Sequence, residues 1–488
     1  MKIKNIEIPE DVERILSRFH EADYAAYLVG GCVRDCLMGN MPHDWDICTS
    51  ATPAQVKQVF ADKPYTVVPA GIKHGTVMVV VHGRPYEITV FRKKSTVKKH
   101  LLQGRKLPGT VSAASPAPVS PALENRDADG AFCHTYLDNP LYEDLGLRDF
   151  TVNSMAWSPE EGLIDPYHGE RDLAAALLRC AGSAYERLSE DPLRILRALR
   201  FAAHFSFSID PELDTAIHEL YPLLKDVAVE RITSEFYRFM QSSGVKVAEM
   251  LRNYPDVACF LVPELKPLIG FDQHNHHHVY DVWEHTLKAM EACPDNDIVL
   301  KFTILFHDMG KAHTFTMDNQ GVGHFYGHAD VSKTLCKNIM NRLRFDGKTE
   351  EEVMTLVEVH DARVEPTTRS IRRWLNRIGE EQFRRLLQMK RCDAAGQNPV
   401  YWPDRDAYIS SLEKAFEEVK AQDACFSMKD LAVKGSDLIA VGYERGAILG
   451  KCLKRLLDEV IDERLPNDKQ VLLSQAVFWL NQADRVKE

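Results

Sequence analysis

No stretch of this chain is apolar for long enough to cross a bilayer, which takes about 20 such residues. The N-terminal MKIKNIEIPEDVERI is amphipathic, with neither an apolar core nor a small-residue cleavage site, so no secretory signal is expected. Cysteine is short of pattern rather than of number. There are 11, an odd count, and none forms a CxxC pair, which argues against a disulfide framework and a thiolate zinc site. Positive charge is also short: 60 Lys and Arg stand against 71 Asp and Glu, for a net charge of -11. That balance argues against indiscriminate nucleic-acid binding, though local basic patches still count. Internal repeats and sustained heptads are missing as well. What remains is a cytoplasmic protein with reduced thiols, and its 488 residues are too many for one core, so roughly two to four domains are expected.

Two basic stretches interrupt the acidic background. Residues 84–106 carry Arg84, Arg92, Lys93, Lys94, Lys98, Lys99, Arg105 and Lys106 against the single acid Glu87. A second runs from Arg363 through Arg369, Arg372, Arg373, Arg377, Arg384 and Arg385 to Arg391. Each reads either as a solvated face or as a contact for a polyanion such as a structured RNA.

The first 100 residues alternate short apolar runs with turns, as a mixed α/β unit does. Tyr27-Leu28-Val29, Val67-Val68, Thr76 to Val81 and Tyr86 to Phe91 read as strands, the last two joined by His82-Gly83-Arg84-Pro85. A Pro/Ala/Ser-rich segment, within about 93–140, reads as a mobile insertion. From Leu173 onward the periodicity is helical, with helices expected over Arg187 to Phe205, Asp226 to Met240, Val279 to Ala292, Ile298 to Phe306 and Val331 to Leu343.

Chemistry concentrates in the mixed unit. Gly30-Gly31 follows a strand and opens a helix, a place where backbone can approach a triphosphate, and Arg34 lies in the following turn. About a dozen residues on come Asp44 and Asp46. On a strand begun near Asp44 both carboxylates would leave one face, able to hold divalent metals about 4 Å apart for phosphoryl transfer. Glu87 on a neighbouring strand is a candidate third acid, or a solvated residue paired to Arg84 or Arg92. Arg148, Asp149 and Asn153 form a polar group among apolar anchors, suited to phosphate and ribose. Asp191 and Arg194 flank Pro192 near a helix start, with Ser189 as its expected cap. They read as a surface i,i+3 ion pair, or as a base reader: the acid accepts from the exocyclic amine of cytosine or adenine, while the arginine donates to the adjacent ring nitrogen. Guanine and uracil present the reverse polarity.

The stretches LVGGCVRDCLMGNMPHDWDI, YEITVFR, EDLGLRDFTVNSMA, LIDPYHGERDL, RLSEDPLRILRALRF and VERITSEF together resemble the bacterial class II tRNA nucleotidyltransferases, within the CCA-adding enzyme and poly(A) polymerase superfamily. The resemblance implies an α+β protein with a polymerase β-like nucleotidyltransferase head over 1–172. A helical neck over 173–265, a body over 266–400 and a tRNA-binding tail over 401–488 would follow. It implies Mg2+ at Asp44 and Asp46, nucleotide binding by Gly30, Gly31, Arg34, Arg148, Asp149, Asn153 and Arg197, and Asp191 with Arg194 as the protein template for CTP and ATP. The partners implied are the tRNA 3′ end, CTP and ATP; no membrane partner is expected, and the sequence does not indicate an oligomeric state. The chain departs from the family at Leu147, where a second arginine is common, and in its long insertion, where the family has a short loop. Partial addition of C or A only, poly(A) synthesis, a phosphohydrolase with a degenerate head and a non-catalytic RNA-binding protein stay open as alternatives.

The body carries its own motif. HNHHHVYDVWEH (residues 274–285) precedes His307-Asp308-Met309-Gly310-Lys311, and His324, His328, His360-Asp361 and Asp393 follow. Mixed imidazole and carboxylate donors suit Mn, Fe, Ni, Zn or Mg. The pattern resembles the HD phosphohydrolases. That resemblance implies His285, His307, Asp308 and Asp393 as metal ligands, His328 and His360 as second-metal ligands, and Lys311 as a phosphate contact.

Overall fold

A computed structural model describes residues 2–3, 6–69, 75–92, 139–421 and 425–485. Most of the insertion, and with it Lys93 to Lys106, lies outside the described residues. Packing divides the chain into two compact units, Met1–Asp226 and Val227–Glu488.

The first unit is built on a seven-stranded sheet. Its order is Thr66–Val68, Thr76–Val81, Arg84–Val90, Ile47–Thr49, Ala26–Val29, Ala156–Ser158, Gly162–Ile164. The run TVMVVV at Thr76–Val81 is β-branched and alternates buried with half-buried residues, as a sheet strand covered on one face should. His82 and Gly83, at φ 48 and 80, make the tight turn that the hairpin's twist requires. Arg84 and Pro85, expected in that turn, instead belong to the strand Arg84–Val90. The last two strands of the order, each three residues long, are not among those expected from the sequence.

Register fixes the chemistry. Ile47–Thr49 pairs in parallel with the hairpin's second strand, Ile47 opposite Ile88, and both isoleucines are buried in one core cluster with Leu28. The preceding residues, Asp46 and Glu87, therefore share the opposite face. There the helix Pro140–Gly146 brings Leu141 and Leu145 against Val29, Cys48 and Ala156.

A single helix was expected over Arg187 to Phe205. The structure has two, Ala184–Glu190 and Leu193–Phe205, with Asp191 extended at φ -140 and ψ 96 between them. Pro192 imposes the break: its ring disfavours helical backbone in the residue before it, and it has no N–H to donate. Ser189 thus lies inside the first helix and caps nothing.

The second unit is almost wholly helical. Ile298–Phe306 is buried on every side, including Lys301, whose ammonium donates to the carbonyls of Ser242 and Asp295. Around it pack Val229–Met240, Val282–Glu291, Gly347–Val359 and Glu380–Ala395, and His328–Arg342 lies against Gly347–Val359. A separate apolar cluster holds the last helices, Gly435–Ala440, Ala447–Ile461 and Lys469–Arg485. Among the described residues no helix is long and apolar enough to cross a membrane.

Candidate functional site

Asp44 and Asp46 do not stand on one strand face. Asp46 is the residue before the strand Ile47–Thr49, its carbonyl accepting from Val29 N–H at 3.0 Å, and Asp44 sits in a bend. The ladder stops there because its partner strand ends at Val29 and turns through Gly30 into the helix Gly31–Leu37. The carboxylates are neighbours all the same. Burial raises the Asp46 carboxyl, and the charges of Glu87 and Asp44 raise it further, while Arg148 pulls it down.

Gly30 adopts φ 76 and ψ -130. A β-carbon there would lie 2.7 Å from Arg148 Nη1, so the glycine admits the guanidinium against the strand end. Arg148 is aimed by Asp144, which is buried, with only 1% of its side chain exposed, and lies 3.3 Å from Arg148 Nη2. Asp144 also accepts from Arg92 N–H at 3.0 Å and Nε at 2.7 Å. These guanidinium groups hold its carboxyl below the usual range against the upward push of burial. Asp144 is not among the residues expected from the sequence; the available signal was an acid four residues before Arg148, at the end of a short helix.

Arg34 is spent differently from the expectation. It donates to Asp35 from Nε at 2.9 Å and Nη2 at 2.7 Å, and to Asn153 Oδ1 from Nη1 at 2.6 Å. Its guanidinium also lies over the ring of Phe205 at 4.5 Å. Asn153 Nδ2 donates to Asp149 Oδ1 at 3.0 Å, and Asp149 Oδ2 takes both Nε and Nη2 of Arg197. Burial pushes the Asp149 carboxyl up, but Arg197 and Asn153 bring it below its ordinary value. Arg34, Asn153, Asp149 and Arg197 thus form one chain, buried except at Arg197, that ties the Gly31–Leu37 helix to Leu193–Phe205.

At the helix break, Asp191 Oδ1 accepts from Leu193 N–H at 3.3 Å. Arg194 donates to the carbonyls of Arg187 at 3.0 Å and Leu147 at 2.8 Å, and to Glu190 at 3.2 Å. The position that departs from the family, Leu147, therefore contributes its backbone to holding Arg194.

In the second unit two donor sets gather within 4.8 Å of one another: His285, His307, Asp308 and Asp393, then Asp308, His328 and His360. His285 Nε2 is 3.3 Å from Asp308 and 3.0 Å from Asp393, and His307 Nε2 is 3.1 Å from Asp308. The four imidazoles share one device. Nδ1 of His285, His307, His328 and His360 faces the carbonyl of Gly396, Ile304, Phe325 and Val357, at 2.7 to 2.9 Å. That contact turns each Nε2 lone pair inward, the arrangement metal-binding histidines use. Beyond these carboxylate contacts the buried His285 Nε2 and His307 Nε2 make no hydrogen bond, and a divalent cation would satisfy both lone pairs. Two glycines make the approach feasible. A β-carbon on Gly396 would meet His285 Nδ1 at 2.7 Å, and one on Gly310 the His328 carbonyl at 2.2 Å. Lys311 is tied to Asp308 at 2.7 Å and to Gln273 at 2.8 Å. Asp281 caps the helix Val282–Glu291, and His324 pairs with Asp318, so neither belongs to the cluster.

The arginine stretch is largely neutralised within the second unit. Arg369 and Arg373 pair with Asp462, Arg372 with Glu463, Arg377 with Glu358, and Arg384 with Glu380. Arg385 meets Asp297 and Glu352, and Arg391 meets Asp406 and Glu413. Apart from Glu380, four residues before Arg384 on the same helix, these acids are distant enough along the chain that spacing alone could not reveal them.

Glu87 on its strand, Asp46 at a strand start and Asp44 in the adjoining bend thus gather beside a glycine-gated arginine, an arrangement suited to nucleotidyl transfer. Accordingly, residues 26–179 match the family described as Poly A polymerase head domain. Residues 206–268 match the Probable RNA and SrmB-binding site of polymerase A, and 314–476 a putative tRNA nucleotidyltransferase domain 2. The CCA-adding enzyme of Lactobacillus gasseri is 38% identical over 51% of this chain and 54% of its own length. That of Limosilactobacillus fermentum is 29% identical over 98% of both chains. In fold, the chain resembles the Bacillus stearothermophilus CCA-adding enzyme solved with CTP, with a TM-score of 0.64 at 23% identity over 98% of this chain and 100% of that one. The Thermotoga maritima enzyme solved with tRNA gives 0.55 at 18%, over 98% and 99%. The chain is homologous to the bacterial CCA-adding enzymes and shares their fold.

Proposed function

We propose that this protein adds C and A nucleotides to the 3′ end of tRNA, from CTP and ATP and without a nucleic-acid template. The observation that carries the reading is the Asp46 and Glu87 face of the sheet meeting Gly30 and Arg148 in a chain homologous to CCA-adding enzymes. The Gly30-Gly31 backbone and Arg148 receive the triphosphate. Asp44 and Asp46 would hold Mg2+, which when bound neutralises charge in an in-line displacement at phosphorus. The terminal ribose oxygen bonds to the α-phosphorus, pyrophosphate leaves, and Glu87 stands beside Asp46 to take the hydroxyl proton. Asp191 accepts from the exocyclic amine of cytosine or adenine, and Arg194 donates to the ring nitrogen. Arg34, Asn153, Asp149 and Arg197 hold the helices that carry these groups. The test uses tRNAs ending at the discriminator base, at -C and at -CC, with CTP and ATP separately and together. Completion of -CCA supports the reading, growth of a long A tail indicates a poly(A) polymerase, and no incorporation sinks it. Asp44→Ala or Asp46→Ala should abolish transfer while tRNA binding persists.

The donor cluster supports a second activity, a metal-dependent phosphohydrolase of the HD type within the second unit. His285, His307, Asp308 and Asp393 would hold one divalent ion, and Asp308 with His328 and His360 a second. A bound ion there would activate water for attack on a phosphate ester. Hydrolysis of p-nitrophenyl phosphate by the full chain, lost in His307→Ala, tests it.

A further inference from the structure

One rim of the donor cluster keeps polar atoms that neither the cradle nor the fold uses. The loop 274–278 and the segment 396–405 clasp each other there. Asn398 N–H donates to the His277 carbonyl and Asn398 Nδ2 to the His276 carbonyl, both at 2.9 Å, while Asn275 accepts from His277 N–H at 3.0 Å. His278 stands edge-on to the cradle residue His285, ring centroids 5.3 Å apart. His277 packs on Tyr401 at 4.6 Å, and the Arg405 guanidinium lies 5.8 Å from the same ring. His277 Nδ1, His278 Nδ1 and Arg405 Nη1 are all buried without a hydrogen-bond partner. Arg405 differs here from Arg384, Arg385 and Arg391, each of which has its carboxylate. Leaving a buried polar group unmatched costs about 1–3 kcal/mol; Arg405 Nη1 can only donate, and each imidazole Nδ1 donates in its N–H tautomer, so one acceptor from outside the chain would satisfy all three. The same 396–405 segment meets the donor cluster at its other end, where the Gly396 carbonyl lies 2.8 Å from His285 Nδ1.

We propose that Arg405, His277 and His278 form an anion subsite that holds the terminal phosphoryl group of a phosphomonoester against the donor cluster. The subsite rests on the phosphohydrolase reading of that cluster. A planar guanidinium matches two phosphoryl oxygens at once, and the imidazole nitrogens can donate to a third. A terminal phosphoryl group offers three such oxygens and a diester only two, so monoesters should gain more from the subsite.

The full chain loaded with manganese is titrated with inorganic phosphate by calorimetry, with metal content measured in parallel. Arg405→Met and His278→Ala should keep the wild-type manganese content and weaken phosphate binding at least about tenfold, the worth of one charge-assisted bond. Arg405→Lys should recover part of the affinity. In turnover, Arg405→Met should raise KM for p-nitrophenyl phosphate far more than for its bis ester. Wild-type phosphate affinity in the variants overturns the subsite alone, and manganese lost together with phosphate shows a structural role and overturns it too. A wild-type chain that takes up no manganese removes the metal reading and the subsite with it.

Discussion

Gly30→Ala separates two consequences of one missing side chain. At φ 76 and ψ -130 Gly30 occupies backbone space that alanine reaches only under strain of about 1–3 kcal/mol. The added methyl would also lie 2.7 Å from Arg148 Nη1. That nitrogen ends a long side chain, so the arginine can swing aside, giving up its place beside Asp144 and Asp46. The steric cost is therefore small, and the functional cost is not. Displacing a positioned group by about 1 Å costs on the order of 100-fold in rate. Gly39→Ala is the control: its φ is 83, but a β-carbon there meets nothing within 4 Å. Both variants should lower the urea midpoint comparably. Only Gly30→Ala should slow single-turnover CMP addition to a tRNA ending at the discriminator base. Equal rates in the two variants would refute the link from Gly30 through Arg148 to phosphate.

Asp191→Ala with Arg194→Ala should lose rejection of GTP and UTP. Because Arg194 also binds the Leu147 and Arg187 carbonyls, overall rate should fall too; unchanged selectivity against GTP and UTP contradicts the base-reading role. The Asp149 carboxyl is lowered in the folded head. Its stabilisation is therefore present above the unfolded pKa of about 3.9 and is lost as pH falls through the folded value. Arg197→Met should move acid unfolding, followed by circular dichroism, to higher pH, and superimposable curves would show the pair to be idle. His307→Ala should remove manganese from the second unit while CMP addition in Mg2+ continues at the wild-type rate. Manganese content equal to wild type would exclude His307 as a ligand.

The chain's local chemistry was legible residue by residue. A glycine pair opening a helix, acids two apart and a His-Asp dyad ending an apolar run each act through neighbours within a few positions. Those forces are set by covalent geometry and by the periodicity of strand and helix. Tertiary structure decided what lies across sequence. Ladder register put Glu87 beside Asp46, though Asp46 only adjoins its strand. Asp144 came to aim Arg148, and Asn153 came to join Arg34 to Asp149 and Arg197. Packing of remote segments neutralised most of the arginine run from Arg369 to Arg391, and brought Asp393 to His285 while leaving Asp281 a helix cap. Long-range pairing depends on which faces meet and on which burial leaves no polar atom unmatched, and no spacing rule along the chain encodes that.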